Sequence, residues 1–214
     1  MDRTLARSTS APARALRCED IAREPGFRRL ASIAGIAVDL RYASARNFVG
    51  RDLYGALDCA WLHEEAAAGV ARAVAHLAER APGVRLLVLD ALRPHRVQIE
   101  LWNHLEGTGL RQYVADPALG SIHSFGMALD ATLVDAAGRE LDMGSGFDEM
   151  SELSHPRREA DHLASGALAP AAHLHRELLR AALAAGGFRG IDNEWWHFDL
   201  RDRAHVRATF TRVD

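Results

Sequence analysis

Val84-Arg-Leu-Leu-Val-Leu-Asp90 is a nearly unbroken apolar run of strand length, and it constrains the fold more than any other stretch of the chain. A run of this kind is a buried central strand, whose end delivers Asp90 and Arg93 to a surface. Before it, from Trp61 to Leu77, apolar residues recur at three and four through Trp61, Leu62, Ala66, Val70, Val74 and Leu77. That spacing predicts an amphipathic helix, terminated by Pro82 and Gly83. Pro94 opens a second helix, His95 to about Leu105, and a third, about Pro170 to Ala185, stops at Gly186-Gly187. Ile33 to Tyr42, Ala128 to Val134 and Phe188 to Leu200 read as further strands, and 43–58, 106–121 and 141–150 as loops. Helices and strands alternate irregularly, without repeated βαβ units. This predicts an α+β fold, a single domain with a central antiparallel or mixed sheet flanked by helices. Residues 1–25 lack sustained periodicity and read as a loosely ordered N-terminal extension, leaving 26–214 as the domain.

Composition removes whole classes of chemistry. All 26 cationic residues among the 214 are arginine. Without lysine there is no Schiff base to pyridoxal phosphate, no phosphate-loop lysine and no Ser–Lys dyad. The arginines are scattered among 29 carboxylates, for a formal charge of −3, so no basic block favours a nucleic-acid partner. Cys18 and Cys59 are too few for a cysteine-rich metal site or a disulfide framework, which leaves histidine and carboxylate to hold any metal. The opening residues lack the apolar core of a secretory signal, and no apolar run approaches the roughly 20 residues of a membrane span. The expected location is therefore the cytoplasm, with no membrane partner.

Most of the eleven histidines have ordinary readings. His63, His76 and His104 fall on predicted helices, His205 in the tail, and His155 and His162 flank a charged connector that carries no helical His-Glu-x-x-His element. Two segments differ. In Ser121-Ile-His-Ser-Phe-Gly-Met-Ala-Leu-Asp130 a loop histidine leads through Gly126 into the strand carrying Asp130, and glycine permits the close approach that brings imidazole and carboxylate to one point. In Glu194-Trp-Trp-His197 a glutamate and a histidine come near the end of the closing strand. Catalytic zinc requires three protein ligands and an open fourth position, which His123, Asp130 and His197 satisfy. Glu194 is then left over as the general base of a metallopeptidase, and Arg93 at a strand end is placed to stabilise the oxyanion. Each segment also has a plain reading, as a braced loop or as an aromatic strand with polar edges.

The two segments together resemble the zinc D-alanyl-D-alanine dipeptidases, a family known from vancomycin resistance and from D-Ala-D-Ala salvage. The likeness continues through Asp39-Leu-Arg-Tyr-Ala-Ser, Asn47-Phe-Val-Gly, Asp90-Ala-Leu-Arg-Pro, Met143-Gly-Ser-Gly-Phe-Asp-Glu-Met and Ser154-His, all in the same order. It implies a hedgehog/D,D-peptidase-like fold, one zinc ion on His123, Asp130 and His197, Glu194 as base and Arg93 as oxyanion partner. It further implies that Asp148 and Tyr42 hold the ammonium of a small dipeptide substrate and that Ser121 lies near its carboxylate. The long start and the altered 47–54 and 106–120 regions depart from the family pattern and bear on substrate preference. The expected reaction is hydrolysis of D-Ala-D-Ala or a close relative by a water that zinc and Glu194 activate. A zinc D,D-carboxypeptidase acting on cell-wall stem peptides and a non-catalytic, zinc-stabilised peptide-binding module are the alternatives.

Overall fold

The computed structural model describes residues 16–214. In chain order the strands and helices are β1 (Phe27–Arg29), β2 (Ile36–Val38), β3 (Trp61–His63), α1 (Glu64–Arg80), β4 (Arg85–Asp90) and α2 (His95–His104). They continue with β5 (Ala128–Val134), α3 (Glu159–Ser165), α4 (Pro170–Ala185), β6 (Arg189–Gly190), β7 (His197–Asp199) and α5 (Arg203–Thr209). Five strands form one sheet in the order β2-β4-β5-β7-β6, with β2 parallel to β4 and the other neighbours antiparallel. The fold is thus α+β with a mixed sheet flanked by helices. β1 and β3 pair separately.

The expected central run is β4, buried from Leu86 to Asp90, with a partner on each side. All seven residues of β5 beside it are buried. Helices α1 and α4 contribute Ala66, Val70, Ala73, Leu77, Leu179, Ala182 and Leu183 to one core with Leu86, Val88, Leu129 and Leu133 of the sheet. The helices meet closely where Gly69 faces Gly186: a Cβ on Gly69 would sit 2.8 Å from the Gly186 carbonyl oxygen and from the Phe188 ring. A small-residue contact of this kind fixes how far the two helices can approach before side chains collide.

Several expectations need correction. The helix expected from Trp61 begins at Glu64, because Trp61–His63 pair with β1, Leu62 being fully buried between half-buried neighbours in the alternation of a strand. His63 instead caps α1, its Nδ1 accepting from the Glu65 amide at 3.3 Å. The strand expected over Ile33 to Tyr42 shrinks to β2, and Arg41–Ala43 form a 3-10 turn. Phe188 to Leu200 is two short antiparallel strands, β6 and β7, so Glu194 lies on their connection rather than in a strand. Within the stretch expected as an extension, residues 16–25 carry two buried side chains. Cys18 and Ile21 are buried on a 3-10 turn, Cys18 donates its amide to the Asp214 carbonyl at 2.7 Å, and Asp214 donates to Leu16 at 2.8 Å. Residues 1–15 lie outside the described residues. No described helix is long and apolar enough to cross a membrane.

The register of the sheet aligns three ionisable side chains. Val88 pairs with Ala131, yet Asp90 pairs with Asp130, so β4 carries one extra residue between them. Such a bulge re-aims the side chains beyond it. Asp130 in turn pairs with His197, which sets Asp90, Asp130 and His197 in one row across three strands.

Candidate active site

His123 stands on a buried 3-10 turn, Ile122–Phe125, that ends at Gly126 in the left-handed region with φ of 65°. A Cβ at Gly126 would lie 2.7 Å from the His63 amide nitrogen and 2.8 Å from the Phe27 ring, so only glycine closes this turn. The chain then enters β5, and the third residue of that strand is Asp130. His197 opens β7 directly beside it. The three side chains converge. His123 Nε2 is 3.1 Å from His197 Nδ1, and Asp130 Oδ1 is 3.3 Å from the first and 3.0 Å from the second.

The outer nitrogens decide what faces inward. His123 Nδ1 is 2.8 Å from the Ala91 carbonyl oxygen, which can only accept, so Nδ1 carries the hydrogen and Nε2 presents a lone pair. His197 Nε2 is 2.9 Å from Asp199 Oδ1, and Asp199 receives Arg203 Nε at 2.6 Å on its other oxygen. A carboxylate behind an imidazole is the usual support of a ligating histidine. Ligands at about 2.0–2.1 Å around a tetrahedral ion are separated by about 3.3–3.4 Å, close to the spacing of these three atoms. The donor set therefore fits a divalent ion of the kind that nitrogen and oxygen ligands hold. Burial works against the Asp130 carboxylate, but His123 and His197 outweigh it and hold its pKa well below the usual range. Burial also opposes charge on His197, which Asp199 and Asp130 nevertheless draw up to about 10, so a metal would bind there in competition with a proton.

Glu194 lines the same cavity and makes no hydrogen bond among the described residues. Burial pushes its carboxyl up to about 7, against the opposing pull of His197. Arg93 is buried and held on several sides: Nε donates to Asp90 Oδ2 at 2.9 Å, Nη1 to Gln98 Oε1 at 3.0 Å, and Nη2 lies 3.3 Å from Asp130 Oδ2. Its guanidinium also stacks 4.8 Å from the centre of the Tyr42 ring. Tyr42 Oη donates to Asp148 Oδ1 at 3.0 Å, whereas Asp148 Oδ2 is buried without a partner. Burial and then the charge of Asp130 hold the Asp148 pKa well above the carboxylate range. Ser121 is buried at the base of the His123 turn.

All eight residues singled out in the sequence, Tyr42, Arg93, Ser121, His123, Asp130, Asp148, Glu194 and His197, line one cavity of about 130 Å³. Drug-sized ligands occupy pockets of about 300–1,000 Å³, so this one suits a small molecule. Asp199 apart, the residues behind them carry no signal in the local sequence. Tyr54, which donates to Asp90, and Gln98, whose Nε2 donates to the Ala115 carbonyl at 2.7 Å, fix Arg93 from a second layer. Asp199 could have been found from its place two residues after His197, on the same strand face. Of the histidines set aside, His155 pairs with the Tyr113 hydroxyl at 2.8 Å and His162 with the Glu152 carbonyl at 2.9 Å. A second group of possible donors, Glu159, His173 and Glu177, is already engaged by Arg176 and Arg180.

Comparison with known proteins gives the family. Residues 23–214 match the peptidase M15 family described as D-ala-D-ala dipeptidase. The chain is 40% identical over 169 residues to a D-alanyl-D-alanine dipeptidase of Escherichia coli (strain K12), covering 79% of this chain and 81% of that protein. It is 31% identical to one of Streptomyces coelicolor, over 83% of this chain and 92% of that protein. A dipeptidase of the same description from Enterococcus faecium is 30% identical, over 87% and 97% respectively.

Proposed function

Since the chain belongs to the D-ala-D-ala dipeptidase family of M15 peptidases, we propose that it hydrolyses D-alanyl-D-alanine, or a closely related dipeptide, with one zinc ion held by His123, Asp130 and His197. The observation that carries this reading is the meeting of three metal-donor atoms with a Glu194 carboxyl that makes no hydrogen bond among the described residues, all in a single small cavity. A zinc ion held there supplies Lewis-acid chemistry, polarising the scissile carbonyl and acidifying a water. Glu194 takes the proton of the attacking water and passes it to the departing amine. A carboxyl raised to about 7 is matched to both halves of that transfer. Arg93, immobilised by Asp90 and Gln98, meets the negative charge that develops on the carbonyl oxygen. No acyl-enzyme forms, because water itself attacks.

Selectivity for a dipeptide follows from the cavity. Asp148 Oδ2 is buried and unpaired, a costly state that a substrate ammonium relieves, while Tyr42 holds the other oxygen. Ser121 lies at the carboxylate end of the same substrate. A longer peptide would leave these groups unmatched in a space of about 130 Å³.

The test is the zinc-loaded Glu194→Gln variant. It should keep one zinc per chain while release of D-alanine falls about 10²–10⁴-fold. Near-normal turnover by the loaded variant would remove Glu194 from the mechanism. Faster hydrolysis of an N-blocked stem peptide than of free D-Ala-D-Ala would identify a D,D-carboxypeptidase instead.

A further inference from the structure

This inference rests on the dipeptidase reading and concerns the other end of the substrate. A free dipeptide is a zwitterion, so a small cavity must balance a carboxylate as well as an ammonium. Besides its histidines, the charged groups of the cavity lining are Asp130, Asp148 and Glu194 on the acidic side and Arg93 and Arg203 on the basic side. Arg93 is assigned to the carbonyl oxygen and has little left for the substrate carboxylate as well. Its charge already faces Asp90, at 2.7 Å from Nη2, and Asp130, and its Nη1 is bonded to Gln98. Arg203 differs. It opens α5 and uses Nε alone, which donates to Asp199, while Nη1 and Nη2 make no hydrogen bond among the described residues. Its side chain is 47% exposed, whereas the Asp199 that anchors it is buried and bonded to His197. The guanidinium is thus fixed at the mouth of the cavity by the residue that also orients His197, with its planar pair of terminal nitrogens open.

We infer that Arg203 recognises the free C-terminal carboxylate of the dipeptide through Nη1 and Nη2, as Asp148 receives the ammonium. Ser121 is neutral and cannot balance that charge by itself. A guanidinium matches a carboxylate with two parallel N–H donors. Because Arg203 is half exposed, water screens the pairing and its worth is about tenfold in affinity.

The experiment compares D-Ala-D-Ala with its C-terminal amide, in the zinc-loaded wild type and in Arg203→Met. The wild type should prefer the free acid, and the substitution should lower kcat/KM about tenfold more for the acid than for the amide. A loss shared equally by acid and amide would mean that Arg203 acts only by bracing Asp199, and no loss with either would mean no role; both overturn the inference. Calorimetric titration of the zinc-loaded Glu194→Gln chain, with and without Arg203→Met, reads the same contrast as binding. An inactive wild type whose Glu194→Gln form still binds the acid with an Arg203-dependent affinity would overturn the dipeptidase reading and support the inference. Failure to bind the dipeptide at all would overturn both.

Discussion

Asp199 accepts from His197 Nε2 with one oxygen and from Arg203 Nε with the other, which makes it the residue on which the tautomer of His197 depends. An amide in its place can offer either a donor or an acceptor and no longer enforces a lone pair on Nδ1. Asp199→Asn is expected to weaken zinc about 10–100-fold, read by competition with a chelator, with the folded state retained. Unchanged zinc affinity would show that the ring is oriented by packing alone. At this scale the inner layer of the site was legible and the outer layer was not. His123, Asp130, Glu194 and His197 announce themselves by residue type and short spacing. Asp90 is placed beside Asp130 only by the extra residue in β4, and Tyr54 reaches Asp90 across 36 residues of chain. No local pattern encodes a bulge of that kind.

At the scale of elements, the turn from Ile122 to Gly126 couples stability to the site. Gly126→Ala would force a Cβ into the left-handed region and against the β3 backbone. The variant is expected to lose more than about 1 kcal/mol of stability in a denaturant titration and to bind zinc less tightly. A variant as stable as the wild type would mean that the His63 and Phe27 side of the contact yields. Helix α4 was readable because Pro170 and Gly186 punctuate it, and β5 because its run is bounded by Gly126 and by the polar turn after Val134. Apolar spacing misleads where it runs through a strand–helix junction. Trp61 and Leu62 suit a helical face as well as a strand, and only pairing with β1 separates the two. Helix α5 went unread because it is seven residues long and buries only Val206, although Asp202 caps it by accepting from the Ala204 and His205 amides at 3.0 Å each. Its value is positional, since Arg207 donates to the Gly120 carbonyl, next to Ser121, and Arg203 reaches the cavity.

For the whole molecule, the last residues act as a clasp. Val213 donates to the Ser124 carbonyl at 2.7 Å, next to His123, and accepts from the His95 amide at 2.9 Å, at the start of α2. Asp214 exchanges two backbone hydrogen bonds with Leu16 and Cys18. Beginning and end of the described chain therefore lie side by side. A folded unit whose ends neighbour each other can be cut and rejoined elsewhere without losing its core. A circular permutant of residues 16–214 alone, which links Asp214 to Leu16 through a short glycine bridge and starts anew between Gly107 and Gly109, where added side chains would meet open space, should still fold and take up zinc. Measured by metal content and thermal unfolding, such a rearranged polypeptide would show that the site belongs to the sheet and its turns, whatever order the ribosome joins them in.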